Sequence, residues 1–475
     1  MEKIVVRLVS MEINNIKNVL HGSLEFSNGH KGSIMGIYGE NGSGKTVVVD
    51  CMVLLKCLLT GKNIPANFYQ YIYCKSDSAS VKYCFDIKAE AGHFYAEYVV
   101  TLLKNELSGF CISKEQLNMK PWEKGKRTKL TPLFIYQKGT CELFRPLKYY
   151  HYFEQNIESI VALSIAQQST EGFDEDKQLS EVSSFLFSKK AQEVFAKAEE
   201  DAEKIYCISH LLQYYGERHL SVIENMQYGL MALNLKRLPL NIDWPDELKP
   251  KAAGIMLHLT DVNVVAREIY PYVKNTIEQI NTVLMSLVPE TRLELYHTFE
   301  KLMENGKEGI QFEVITVRNE ARIPLLYESA GIKKLISICS NLVACYNRES
   351  YCLVVDELDS GIYEYLLGEC LEVMQNKAKG QLIFTSHNLR ALEVLDKEFL
   401  VYTTVNPQNR YIKSAYIKNT QNTRLSYLRS IKLGGQKEKL YHDTNIYDIE
   451  LAMRRAGRVK YDDEKNHSSS GGRTK

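Results

Sequence analysis

The amino-acid sequence predicts an α/β fold: a buried sheet carries a glycine loop, an antiparallel β meander lies beside it, and a helical insertion interrupts it. Three observations lead there. A short apolar run, Gly32-Ser33-Ile34-Met35-Gly36-Ile37-Tyr38, stops at a glycine-rich turn and is followed at once by a helix-like stretch. A second continuous apolar run, Tyr351-Cys352-Leu353-Val354-Val355, stops at two acids, Asp356-Glu357. Between them the pattern passes from alternating and aromatic to three- and four-residue spacing, and after residue 309 strands again alternate with helices.

Taken in order, residues 1–60 read strand, strand, glycine loop, helix. The chain opens with the alternating Ile4-Val5-Val6-Arg7-Leu8-Val9, without a cleavable leader ahead of it. The run ending at Tyr38 suits a buried central strand, and Val47 to Lys56 is apolar nearly all round, as a buried helix requires. From about 67 to 148, segments such as Tyr83-Cys84-Phe85-Asp86-Ile87 and Phe94 to Val100 are aromatic and β-branched, which predicts an antiparallel meander. Lys120 to Lys129 reads as an exposed basic turn within it. Residues 151–308 form the expected helical insertion, with Lys189 to Leu212 and Asp261 to Leu287 as its helices and a break at Asn241-Ile242-Asp243-Trp244-Pro245. Residues 309–445 return to α/β alternation, with strands at 310–317, 351–355 and 381–385 and helices from Gly331 and near 362–376. Residues 446–475 complete a C-terminal helix and a polar, Ser/Gly-rich tail. This divides the chain into an N-terminal lobe at 1–150, the insertion, a C-terminal lobe and the end segment.

The 475 residues suggest two to four structural units, and hydrophobic and charged fractions of 45% and 25% are those of an ordinary soluble protein. The formal net charge of +1 gives no global argument for nucleic acid or membrane. Two basic groups, Lys124, Lys126, Arg127 and Lys129, and Arg454, Arg455, Arg458 and Lys460, read either as phosphate contacts or as solvated faces. Eleven cysteines without a CxxC pair read as reduced thiols. No apolar stretch reaches the roughly 20 residues that span a bilayer, so the expectation is a cytoplasmic protein.

The chemistry concentrates in two places. Gly39-Glu40-Asn41-Gly42-Ser43-Gly44-Lys45-Thr46 matches GxxxxGK[ST] in full. Backbone N–H groups of Gly39, Asn41, Gly42, Ser43 and Gly44 can wrap phosphates, and the positive end of the following helix faces them. In this pattern Lys45 reaches the β/γ-phosphates of ATP and the Thr46 hydroxyl coordinates Mg²⁺. A buried strand delivers Asp356 to its carboxyl end, where it can hold the Mg²⁺ through water. Glu357 follows, placed to polarise an attacking water as general base.

Asp356-Glu357 continues into Leu358-Asp359-Ser360-Gly361, a later strand ends in Thr385-Ser386-His387-Asn388, and Tyr327-Glu328-Ser329-Ala330-Gly331-Ile332-Lys333-Lys334-Leu335 lies upstream. This order resembles the ABC-type ATPase heads of the SMC, Rad50, RecF and overcoming-lysogenization-defect group of P-loop NTPases. The Glu-Ser-x-Gly-x-Lys form is most similar to AAA15/AAA21-type ATPases of bacterial anti-phage defence, such as the AriA ATPases of PARIS systems. The resemblance covers residues 1–60 and about 310–400 well and the middle poorly. It implies that Ser329 and Gly331 are the signature residues that meet the γ-phosphate of ATP held by another copy. It implies further that Asp359 is the D-loop aspartate and His387 the switch histidine. Ala330 departs from the usual Ser-Gly-Gly signature. The resemblance also implies a glutamine loop, for which Gln167 or Gln168 is placed, a polar helix end being the other reading.

The same resemblance implies a homo-oligomer paired through its heads, with Lys45, Glu357 and His387 catalysing ATP hydrolysis. On it, the chain is a sensor and scaffold subunit of a defence complex, with a separate nuclease-like effector and a phage-encoded trigger. The alternative is a RecF/SMC-like ATPase that acts on DNA. A nuclease in its own right is disfavoured, because residues 400–475 are too short for a Toprim domain. The apolar spacing from Tyr427 to Met453 fits either a subunit contact or a cap on the chain's own head.

Overall fold

A computed structural model of the chain describes residues 4–26, 33–105, 109–121, 129–171, 181–225, 237–242, 254–259, 261–413, 424–425, 427, 438–442 and 445–456. The chain divides into two units, Met1–Leu440 and Tyr441–Lys475. The second holds the helix Ile446–Ala456. The basic residues Lys124, Lys126, Arg127, Arg458 and Lys460, the Asp243–Pro245 break and the tail lie outside the described residues.

The first unit is organised around two six-stranded sheets. One is antiparallel throughout. It is made of β1 (Val5–Ile16), β2 (Val19–Glu25), β4 (Ser78–Ala89), β5 (Gly92–Asn105), β6 (Gly109–Pro121) and β7 (Thr131–Gln137), in the order β2-β1-β4-β5-β6-β7. The other runs β18-β17-β3-β16-β15-β8. Here β3 is Ser33–Tyr38, β8 Leu220–Ile223, β15 Cys352–Val355, β16 Gln381–Thr385, β17 Leu400–Thr403 and β18 Tyr411–Lys413. All its pairings are parallel except that of β18 with β17. The fold class is therefore the one expected, an α/β P-loop head with an antiparallel meander.

The unbroken apolar runs of β3 and β15 follow from burial on both faces. Met35, Ile37, Cys352, Val354, Ile383 and Val401 enter one core, shared with the antiparallel sheet and the helix Lys45–Leu59. Ile34, Tyr38, Leu353, Val355, Phe384 and Tyr402 enter a second, shared with the helices Tyr270–Leu287, Ala330–Asn347 and Glu364–Lys377. Lys45–Leu59 thus lies between the sheets. The Tyr83 hydroxyl of β4 donates to the Cys51 carbonyl at 2.5 Å, which ties the meander to this helix.

The middle of the chain differs from the expected helical insertion. The helices Ile157–Gln168, Lys189–Phe195 and Glu203–Arg218 are present, and the last buries Ile205, Ile208, Leu212 and Tyr215. These residues join the first core instead of forming an arm. β8 then enters the parallel sheet beside β15. Beyond it, β9 (Arg237–Asn241) pairs with β10 (Gly254–His258). β11 (Asn263–Ala266), β12 (Thr291–Leu302), β13 (Glu308–Arg318) and β14 (Ala321–Pro324) make a small antiparallel sheet, on which Tyr270–Leu287 packs. For β8 to β11 the correction has a physical cause: strands of four or five residues carry too few alternations to compete with the helical spacing around them.

No helix among the described residues is long and apolar enough to cross a membrane.

Candidate functional site

The site forms where the carboxyl ends of β3, β16 and β15 meet, as ligand sites in open α/β sheets do. Val355 opposes Phe384 and Ile37 opposes Thr385, so their following loops emerge side by side. Together they line a cavity of about 300 Å³. Its walls include Asn41, Gly42, Gly44, Lys45, Thr46, Asp356, Glu357, Thr385 and His387.

The glycine loop is held on both sides. Gly42 and Gly44 take left-handed backbone angles, with φ of 74° and 96°. A Cβ on Gly39 would lie 1.6 Å from the Thr403 hydroxyl, so only glycine lets β17 approach here. The Thr403 hydroxyl donates to Ser43 Oγ at 2.6 Å, and the Tyr411 hydroxyl to the Gly44 carbonyl at 2.8 Å. Arg410 is buried and donates to the Asn18 and Thr404 carbonyls, both at 2.6 Å. The Asn18 amide in turn donates to the Gly42 carbonyl. Lys45 Nζ donates to the carbonyls of Gly39 and Glu40 at 2.9 and 2.8 Å. Burial pushes the Lys45 ammonium below its ordinary range, while Asp356, Glu357, Glu40 and Asp359 oppose that shift.

Facing the loop, Asp356 is buried and accepts from the Thr385 hydroxyl at 2.6 Å. The same hydroxyl accepts the Glu357 N–H at 2.8 Å. Glu357 sits at φ 45°, uncommon for a non-glycine residue. Its carbonyl accepts from Lys334 Nζ at 2.6 Å, and its carboxylate from the Asn225 amide at 2.6 Å. The Asp359 carboxylate receives the His387 N–H, at 3.2 Å to its nearer oxygen.

Ser329 and Gly331 stand apart from this cavity. Ser329 caps Ala330–Asn347, accepting the Ile332 N–H at 3.2 Å, and is exposed. Just before it, the buried Glu328 is clasped by Thr316 at 2.6 Å and Arg318 at 3.2 Å. A Cβ on Gly331 would lie 1.9 Å from the Gly361 carbonyl oxygen, so the signature segment rests directly on the Asp359–Gly361 loop of its own chain. Gln167 ends its helix beside the Tyr136 hydroxyl and does not line the cavity. The side-chain amide that reaches the acidic pair is that of Asn225.

Lys17 and Asn18, in the β1–β2 turn, also line the cavity. Lys17 Nζ is 2.6 Å from Asp50 and 3.7 Å from the Tyr71 ring centre. Lys17 and Asn18 belong to no motif, and Asn225 follows a strand too short to read. Thr385 and Lys334 lie inside segments that the motif order singles out, and only the fold reveals their partners.

Phosphates fit the loop chemically: the N-terminus of Lys45–Leu59 and a buried lysine converge on it. The hydroxyl of Thr46 and the carboxylate of Asp356 are the hard oxygen donors that Mg²⁺ takes, with water and phosphate oxygens completing its shell. Among the described residues no cluster of three His, Cys, Asp or Glu side chains forms a metal site.

Comparison with known proteins adds solved structures alone. The SMC head domain from Thermotoga maritima aligns with 86% of this chain and 99% of its own, at 13% identity and a TM-score of 0.37. The Smc head domains from Pyrococcus furiosus, bound to the C-terminal domain of ScpA, and Pyrococcus yayanosii each cover 90% of this chain and 100% of their own. Both are 11% identical, with TM-scores of 0.40 and 0.41. No family model and no curated protein matches the chain.

Proposed function

We propose that this chain binds ATP with Mg²⁺ in the cavity, hydrolyses it, and uses the cycle as the sensor and scaffold subunit of a bacterial anti-phage defence complex. One observation carries the enzymatic part: loop residues 41–46, Asp356, Glu357 and His387 line a single cavity of about 300 Å³. A glycine turn used only for structure has no need of two acids and an exposed histidine opposite it.

Each residue has a role that its surroundings support. Lys45 is held aimed by two backbone carbonyls and exchanges them for the β/γ-phosphate oxygens, a more favourable partner for a buried cation. Thr46 and Asp356 hold Mg²⁺, which when bound supplies charge neutralisation at the phosphate oxygens. Glu357 takes the proton of the attacking water as general base. His387 meets the γ-phosphate, and its backbone bond to Asp359 links that contact to the loop below Gly331. Ser329 and Gly331 bind the γ-phosphate held by a neighbouring copy, so ATP joins two heads and hydrolysis parts them. Exposed Tyr327 and Tyr363 flank that face, as a surface made for a second copy requires.

The test is purification of the chain with the product of the adjacent gene, followed by phage challenge of cells carrying both. Turnover of ATP, a co-purifying effector and loss of protection in Lys45→Ala are expected. A chain that travels alone, and whose ATP turnover rises on adding DNA, overturns the defence role in favour of DNA metabolism.

A further inference from the structure

The position of Glu357 is set by three different elements, and only one of them touches its carboxylate. The backbone is fixed at both ends: Thr385 of β16 accepts the Glu357 N–H, and Lys334 of Ala330–Asn347 donates to its carbonyl. Those bonds hold the residue at φ 45° and leave its side-chain torsions free. The remaining contact comes from the strand on the far side of β15. Ile223 opposes Val355, and the Asp356 N–H donates to the Ile223 carbonyl at 2.9 Å. Two residues on, the Asn225 side-chain amide donates to Glu357 Oε2 at 2.6 Å.

We propose that Asn225 is a positioning residue for the general base, holding the Glu357 carboxylate so that its other oxygen faces the attacking water. This rests on the assignment of Glu357 as the base. The choice of an amide has a chemical reason. A bond donated to Oε2 occupies one carboxylate oxygen and leaves the other to face water. A lysine or arginine in the same place forms an ion pair that competes with the water for the carboxylate, against the needs of proton abstraction. An amide has no charge to give. It orients the carboxylate without pairing its charge.

The experiment compares Asn225→Ala, Asn225→Asp and Asn225→Gln with wild type and Glu357→Gln in the full chain. It reads kcat, KM for ATP and thermal unfolding. Asn225→Asp has nearly the same shape as asparagine, so it guards against a mere folding failure of the alanine variant. Expected for Asn225→Ala is a fall in kcat of about 10- to 100-fold, the scale of a misplaced catalytic group, with KM little changed. Asn225→Asp, which places a like charge beside Glu357 and donates no bond to it, lowers kcat at least as far, again with KM little changed. Asn225→Gln, which restores a donor, recovers part of kcat. If Glu357→Gln abolishes turnover while Asn225→Ala and Asn225→Asp keep the wild-type kcat, the positioning role is overturned and the base assignment stands. If Glu357→Gln turns over like wild type, the base assignment falls and takes the role of Asn225 with it.

Discussion

The glycine-loop cavity and the Ser329–Gly331 face are opposite kinds of surface. In the cavity, polar groups from β3, β15, β16 and the β1–β2 turn converge on one space, and the lysine and acids are already held by their neighbours. At the Ser329 face, the same kind of residue points outward, and the bonds beneath it are structural: a helix cap, a clasped Glu328 and glycine packed on glycine. A cavity of converging polar groups beside an exposed signature face that lies outside it is the arrangement on which the proposed sharing of the reaction between two copies rests. Lys334 and the Gly331–Gly361 contact join the two halves and put the outward face in touch with the backbone of Glu357.

The largest expected effect separates the halves at once. Glu357→Gln should lower ATP turnover by about 10² to 10⁴-fold while ATP still binds, measured by phosphate release and by equilibrium binding. Lys45→Ala should lose the binding itself. Next, Gly331→Ala forces a Cβ to within 1.9 Å of the Gly361 carbonyl oxygen. It should cost about 1–3 kcal/mol in urea unfolding, as overpacking does. Wild-type stability in this variant would show that the glycine serves only the partner's approach. Ser329→Ala should cost about 1 kcal/mol through the lost cap and, separately, weaken ATP-dependent pairing in sedimentation velocity. Pairing as tight as in wild type would break the idea of a shared site.

The smallest effect concerns the helix that carries the loop. Burial pushes the Lys56 ammonium down to about 8, below its ordinary 10.5, with Lys62 adding to the shift. Between those two values the unfolded chain holds the proton more tightly, so stability should rise as pH climbs from about 8 to 10.5. Below that window the charged lysine costs stability. Lys56→Met should remove the slope and raise stability at pH 7 by about 1 kcal/mol, well under the full linkage value since the side chain keeps some solvent. Thermal unfolding at pH 7, 9 and 10.5 checks the sign.

How legible these halves are in sequence follows from the range of the forces that make them. The loop, the acidic strand end and the His387 strand end are local patterns: an apolar run buried on both faces, then a chemically distinct terminus. They can be read without partners. Asn225 could not be read, since its meaning comes from a four-residue strand beside β15 and a residue 132 positions away. Gln167 shows the reverse: an amide in a promising stretch of sequence is set beside Tyr136 by the packing of its helix. The middle of the chain departs from the expected insertion for a related reason. Helical spacing in Glu203–Arg218 is genuine, yet spacing does not say which core the apolar face will enter.

The clasp of the glycine loop by Thr403, Arg410 and Tyr411 bears on how the molecule is made. Ser43 and the Thr403 hydroxyl that holds it are 360 positions apart, so this part of the bracing forms only once β17 has paired with β3. The shape of the cradle is thus a property of the assembled parallel sheet and not of the local loop sequence alone.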